Sequence, residues 1–187
     1  LIDVTTYHLE ITDPSDLRPK PNPLQDLEIK RVGQPSPEFN RFLYTAVGGD
    51  WYWVDRLSWT YRQWQELVDR PQFQTWVAYV SWSPAGYFEL DGQPERSVEI
   101  TSFGLLPQYI GRGLGGHFLS VALEKGWQTG ASRVWLHTCS LDHPTALSDR
   151  KGVVEGQSVD RVGLRIIKKK TSSTHDTTPK LLLPASS

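Results

Sequence analysis

Residues 98–116 read VEITSFGLLPQYIGRGLGG: a strand-like run, a proline turn at Pro107, then Gly111, Gly113, Gly115 and Gly116 separated only by Arg112 and Leu114. The segment that follows, GHFLSVALEKGWQTG, has Phe118, Val121, Ala122 and Lys125 at helical spacing and stops at Gly130. So much backbone freedom between a strand and a helix serves one of two ends. Either the chain needs only a tight turn, or a ligand must approach bare amides closely. The first amides of a helix lack intrahelical partners, and the helix dipole favours an anion beside them.

The surrounding pattern sets the fold class. Val4 to Ile11 alternate as a short strand, DPSDLRPKPNPLQD is a connector too rich in breakers for regular structure, and LEIKRV reads as a strand. Ser36 and Pro37 open a helix that ends at Gly48 and Gly49. A second helix is predicted from Thr60 to Asp69, with Trp64, Leu67 and Val68 on one face and Pro71 halting it. FQTWVAYV, GYFEL and SVEITSFGLL are strands joined by the turns SWSPAG and DGQPER, and SRVWLHT is a short buried strand after the glycine helix. Strands followed by a strand–loop–helix–strand unit predict an α/β (α+β) fold with a mixed, mostly antiparallel central sheet flanked by helices.

Composition narrows the function classes. With 187 residues the chain suits one domain with a real core, and a formal net charge of −1 gives no global pull toward nucleic acid or an acidic membrane. A single cysteine, Cys139, rules out an internal disulfide framework and fits a reducing compartment. No apolar run approaches the roughly 18 residues that span a bilayer. The opening LIDVTTYHLEITD has neither the basic flank nor the apolar stretch of a secretory signal. A cytoplasmic protein with no membrane partner is expected.

Two nucleotide-binding readings of the glycine loop fail. A P-loop needs Lys and then Ser or Thr, whereas His117 and Phe118 follow Gly116. Gly111, Gly113 and Gly116 match G-x-G-x-x-G, but the next strand ends WLHT without the acidic residue that a dinucleotide site requires. Taken with its preceding strand, the segment resembles the acetyl-CoA-binding segment of GNAT superfamily N-acetyltransferases. Their loop of pattern Q/R-x-x-G-x-G/A falls on Ile110, Gly111, Arg112, Gly113, Leu114 and Gly115, with Ile110 departing from Gln or Arg. The likeness covers roughly residues 27–147, and the wider pattern, including WYWVDR and LHTCSLDHP, is similar to bacterial GNAT proteins of unassigned substrate.

The resemblance implies an acyltransferase that moves acetyl from acetyl-CoA, as co-substrate and without a metal, directly to a primary amine of a small molecule or protein. It implies a phosphate grip by the loop and Gly116, with Arg112 adding a cation. A backbone amide near Leu105 or Leu106 would polarise the thioester carbonyl, and Thr138, Asp142 and His143 would contact pantetheine or acceptor. Glu99 falls where some members of the superfamily carry a general base, against an ordinary sheet carboxylate facing solvent or paired with Arg96. Glu89 is a second carboxylate for the amine. WYWVDRLSWTYRQW lies where the family builds its acceptor site, so Trp51 and Trp53 become candidate acceptor walls, although core packing accounts for many of these rings. A homodimer is carried with the resemblance. His137, Cys139 and His143 form H-x-C-x3-H without an obvious fourth ligand, so neither a metal nor a cysteine nucleophile is expected there.

Beyond Asp149 the likeness stops. Arg150 stands where the family commonly has the tyrosine that protonates the leaving thiolate, so the closing elements are missing or altered. A natural divergent end and a shifted reading frame both account for this, and the abruptness favours the shift. The chain divides into a GNAT-like domain over residues 1–149, of which 1–26 are the first strand and the connector, and a largely disordered tail over 150–187, with VGLRII as one further strand. That tail carries eight Lys and Arg against three Asp and Glu. The alternatives are a non-catalytic acyl-CoA-binding or interaction module, inactive for want of the proton donor, and a nucleic-acid binder acting through the basic tail, the less favoured of the two.

Overall fold

The computed structural model describes residues 2–142, residue 153 and the backbone of residues 165–173. Its elements are β1 (Ile2–Ile11), β2 (Leu27–Arg31), α1 (Pro37–Gly48), α2 (Tyr61–Val68), β3 (Phe73–Val80), β4 (Ser83–Gln93), β5 (Ser97–Leu105), α3 (Leu114–Gln128), β6 (Arg133–Cys139) and β7 (Arg165–Ser173). The strands form one seven-stranded sheet in the order β2-β3-β4-β5-β6-β1-β7. Every pairing is antiparallel except β5 with β6, the pair that α3 connects. The mixed, mostly antiparallel sheet read from the sequence is the sheet observed.

Local chemistry sets the helix ends. Ser36 caps α1 by accepting from the Phe39 amide at 3.2 Å, with Pro37 just inside. Thr60 and Gln63 exchange side-chain and backbone hydrogen bonds in a capping box at α2. The β3–β4 hairpin turns on Ser81 and Trp82 and the β4–β5 turn on Glu95 and Arg96, all four with positive φ. Both turns are therefore tighter than SWSPAG and DGQPER imply, and β4 is correspondingly longer.

Alternation along the strands sends the two sheet faces to different helices. Phe88, Leu90, Val98, Ile100, Val134 and Leu136 pack beneath α3 with Leu9 and Ile11 of β1. Tyr87 and Val77, on the opposite face, meet Leu43 and Val47 of α1, and α2 adds Trp64, Leu67 and Val68 around Tyr44 and Phe73. The buried stripe of α3 is Leu114, Phe118, Leu119, Ala122 and Leu123. It shares only Phe118 and Ala122 with the stripe expected from spacing, because the leucines choose the face.

The first and last described strands are neighbours in the sheet. β1 lies between β6 and β7, pairing Thr6–Ile11 with Val134–Cys139 on one side and Ile2–Glu10 with Arg165–Ser173 on the other. The strand allowed for in VGLRII is present, displaced toward the carboxyl side. The proline-rich connector, expected to lack regular structure, holds one 3-10 turn at Pro14–Asp16, capped by Asp13, and is firmly docked. The Lys20 amide donates to Ser120 Oγ at 2.9 Å, His117 Nδ1 lies 2.9 Å from the Lys20 carbonyl, and Arg18 N donates to the buried Val153 carbonyl at 2.8 Å.

Close packing of α1 on the segment that carries Trp53 sets a limit on stability that can be tested. A Cβ on Gly48 would overlap the Trp53 ring, whereas one on Gly33 meets nothing within 4 Å. Gly48→Ala is expected to lower unfolding free energy by about 1–3 kcal/mol in urea denaturation. Gly33→Ala should stay within about 0.5 kcal/mol of the parent.

Candidate active site

The parallel pairing of β5 and β6 is brief. Ser97–Ile100 register with Arg133–Leu136, and there the rungs end, although β5 runs to Leu105 and β6 to Cys139. The two strands therefore part on the side where the glycine loop lies. One residue past the last rung, the β4–β5 ladder also shifts: Leu90 faces Ile100 and Glu89 faces Ser102, leaving Thr101 as the extra residue of a bulge. The Leu106 amide is spent on the Ala85 carbonyl at 2.9 Å. Successive strand amides alternate between neighbours, so that of Leu105 points to the opposite edge, from which β6 has diverged. Of the two amides expected to polarise a carbonyl, only Leu105 retains that geometry.

At the head of the opening, Gly113 is the N-cap of α3 in the left-handed region, φ 78°, with no side-chain cap, and the first turn holds no acidic residue. Gly111 is also left-handed, φ 80°, and a Cβ on Gly111, Gly113 or Gly115 would meet nothing within 4 Å. Among the described residues no side chain caps these first amides, which lie at the positive end of a helix dipole. Gly116 differs, since the Lys20 side chain lies 3.0 Å from where its Cβ would be. Arg112 stacks on Tyr109 with its guanidinium carbon 5.2 Å from the ring centre, while Ile110 and Leu114 anchor the loop, Leu114 fully buried.

Glu99 sits on the sheet face opposite α3, one rung before the split. Its Oε1 lies 3.1 Å from Nδ1 of His137, one residue beyond the last rung on the other arm, so the pair straddles the fork. The expected partner Arg96 instead donates twice to the Gly130 carbonyl, at 3.0 and 2.9 Å. His8 of β1 stands beside His137, ring centres 5.9 Å apart. Asp91, on the neighbouring strand, pairs with Arg70; burial raises its carboxyl above the usual range and Arg70 opposes the shift.

Two of the expected contact residues, Glu89 and Thr138, are buried in hydrogen bonds within the protein. Glu89, read as a carboxylate for the amine, is completely buried: Oε2 accepts from Arg56 Nη1 at 2.7 Å and from Thr101 Oγ1 at 3.3 Å, and Oε1 from Asn40 Nδ2 at 3.1 Å. Alternation on β4 puts it under α1. Thr138 is buried as well, and its hydroxyl donates to Asp142 at 2.5 Å, which also accepts from the Cys139 amide. His143 lies outside the described residues, as do residues 144–150. Among the described residues no three or more His, Cys, Asp or Glu are arranged so that they could hold a metal ion.

The aromatic segment divides. Tyr44, Trp59 and Trp64 surround the Arg56 guanidinium, whose carbon is 5.6, 5.3 and 5.9 Å from their ring centres. An aromatic cage suited to a cation exists here, and the chain's own arginine fills it. Trp53 packs between Tyr44 and Tyr87, with ring centres at 5.4 and 6.2 Å, and Trp51 remains partly exposed beside it. Burial and the nearby Glu89 charge hold the Tyr87 hydroxyl far above the ordinary tyrosine range. Sequence reasoning missed Arg56, Asn40 and Thr101. The one signal available was a charge set inside an otherwise aromatic run.

Fold and site together define an α/β protein with a glycine-capped helix N-terminus at the mouth of a forked parallel strand pair. The sequence profile of the Acetyltransferase (GNAT) family matches residues 39–147, and the chain belongs to that family. Acyl transfer is the family's chemistry, which makes this an acyltransferase by class. Among solved structures it is similar to a GCN5-related N-acetyltransferase from Kribbella flavida, at 18% identity and TM-score 0.53 over 72% of this chain, and spans about half, 48%, of that protein's length. It is also similar to an aminoglycoside acetyltransferase from an uncultured soil metagenomic sample in complex with sisomicin, at 13% identity and TM-score 0.55 over 73% of this chain and 92% of the other. A putative GNAT acetyltransferase from Novosphingobium aromaticivorans gives 15% identity and TM-score 0.53 over 89% and 62%. At such identities the likeness is of fold. No curated protein matches. No helix among the described residues is long and apolar enough to cross a membrane.

The left-handed glycines make the loop sensitive to any side chain. Gly111→Ala and Gly113→Ala are each expected to cost roughly 1–2 kcal/mol of stability, read as a lowered urea midpoint at unchanged m-value, because a Cβ disfavours positive φ even where space is open.

Proposed function

We propose that this chain transfers an acetyl group from acetyl-CoA to a primary amine of a small molecule or protein. The observation that carries the reading is the N-terminus of α3 at the head of the β5–β6 fork, which no side chain of the described residues caps. The amides after Gly113 and the Arg112 guanidinium take the diphosphate; the pantetheine arm lies along β5 in the place that β6 vacates. Acetyl-CoA supplies the activated acyl carbon as a thioester. The Leu105 amide donates toward the carbonyl oxygen, where negative charge develops.

Glu99, held from the far arm by His137, accepts the amine's proton through a water. The amine nitrogen bonds to the acyl carbon, the carbon–sulfur bond breaks, and the sulfur departs as a thiolate that is protonated from solvent. Trp51 and Trp53 wall the acceptor side. Glu89 acts from beneath this site, not as a ligand of the amine. The catalytic unit is residues 1–149, with a strand of the following tail added to its sheet. A cytoplasmic location suits the single cysteine, and a second copy of the chain in a homodimer is carried with the family.

Two measurements test the reading. CoA at 100 times its Kd should stabilise the folded chain by about 2.7 kcal/mol, and Gly113→Ala should weaken that binding. With acetyl-CoA and a panel of sisomicin, spermine, tyramine and a lysine peptide, Glu99→Gln should lower kcat by about 10²–10⁴-fold at unchanged CoA affinity. Failure of CoA to stabilise the chain at millimolar concentration refutes the assignment.

A further inference from the structure

The buried Arg56–Glu89 pair is hard to explain as a stabiliser. Removing two charges from water costs as much as their attraction returns, and apolar pairs of similar volume do as well or better. What distinguishes this pair is what it joins. Glu89 lies opposite the β5 bulge, and its three partners come from three other places: Asn40 on α1, Arg56 on the segment after α1, and Thr101, the bulge residue itself. Asn40 also donates to Thr75 of β3 at 2.8 Å, so the carboxylate is fixed from its own sheet neighbour too. Tyr44, Trp59 and Trp64 close around the guanidinium and leave it one orientation. One carboxylate thus holds both the first β5 residue past the last β5–β6 rung and the segment that carries Trp51 and Trp53.

We propose that Arg56, Glu89 and Thr101 are positioning residues that register the acceptor wall against the β5 fork, so that an amine on the wall meets the acyl carbon at Leu105. The proposal rests on the acetyl-transfer reading above. None of the three side chains is hydrogen-bonded to the glycine loop, so the diphosphate grip is separate from them. A misplacement of about 1 Å between reacting groups costs on the order of 10²-fold in rate.

The test separates positioning from folding. Arg56→Met alone strands a buried carboxylate and should lower Tm, whereas Arg56→Met/Glu89→Leu removes both charges and should recover most of that loss. With acetyl-CoA and the fastest amine of the panel, the double variant should keep a kcat about 10²-fold below the parent, with CoA Kd changed less than about twofold. Return of kcat together with Tm makes the pair merely structural and overturns the proposal. Thr101→Val provides a second arm that leaves the ion pair in place. A drop in kcat of about tenfold at near-parental Tm supports the proposal, and parental kcat overturns it. Should the parent bind CoA but acetylate no amine, the acetyl-transfer reading falls and this proposal with it. Turnover by the parent that both variants match refutes the positioning role alone.

Discussion

The short ladder between β5 and β6 governs the rest of the molecule. A parallel pair needs a crossover, and α3 supplies it by packing its leucine stripe over both strands. The rungs hold the strands together at one end, and the glycine loop separates them at the other. Had the pairing continued to Leu105, the amides at the fork would be spent on β6 and no slot would exist beside the N-terminus of α3. Because it ends at Ile100, two kinds of backbone without a partner among the described residues converge: an edge amide of β5 and the first amides of a helix. On the function proposed above, an extended, anionic acyl-CoA would satisfy both at once.

Electrostatics on the two sheet faces are kept apart. Beneath α3 the packing is apolar, while the opposite face carries Glu89, Asp91 and Glu99 on adjacent strands, each with its own cation or imidazole: Arg56, Arg70 and His137. Depth sorts them. Glu89 is sealed and Asp91 nearly so, and Glu99 has 14% of its side chain exposed opposite a His137 that is 45% exposed. Of the three, the carboxylate at the fork is the one best placed to exchange a proton with water.

Local features were legible in the sequence. The cap at Ser36, the glycine helix start and the succession of strands and helices along the chain depend on neighbours within a few residues, and the chain spells them out. Features set by pairing across the sheet were not. Nothing in YFEL says that Glu89 lies under α1, and nothing near Glu99 names His137, which a parallel register brings alongside from a separation of 38 residues. The aromatic segment misled for a related reason: spacing reveals rings suited to a cation, but not that Arg56 already occupies the place between them. The choice between Leu105 and Leu106 likewise turned on which amide faces Ala85, a fact of pairing.

β1 is the first regular segment of the chain, yet its neighbours are the last two strands. The Thr5 amide bonds to Ser140 Oγ across a separation of 135 residues, and Glu10 reaches Arg133 across 123. During synthesis this strand leaves the ribosome with an apolar flank and no edge to join, and it waits while the middle of the sheet assembles. The outer arm of the fork is braced only when β1 docks on β6, so completion of the fork is deferred until β6 has followed the middle of the sheet out of the ribosome.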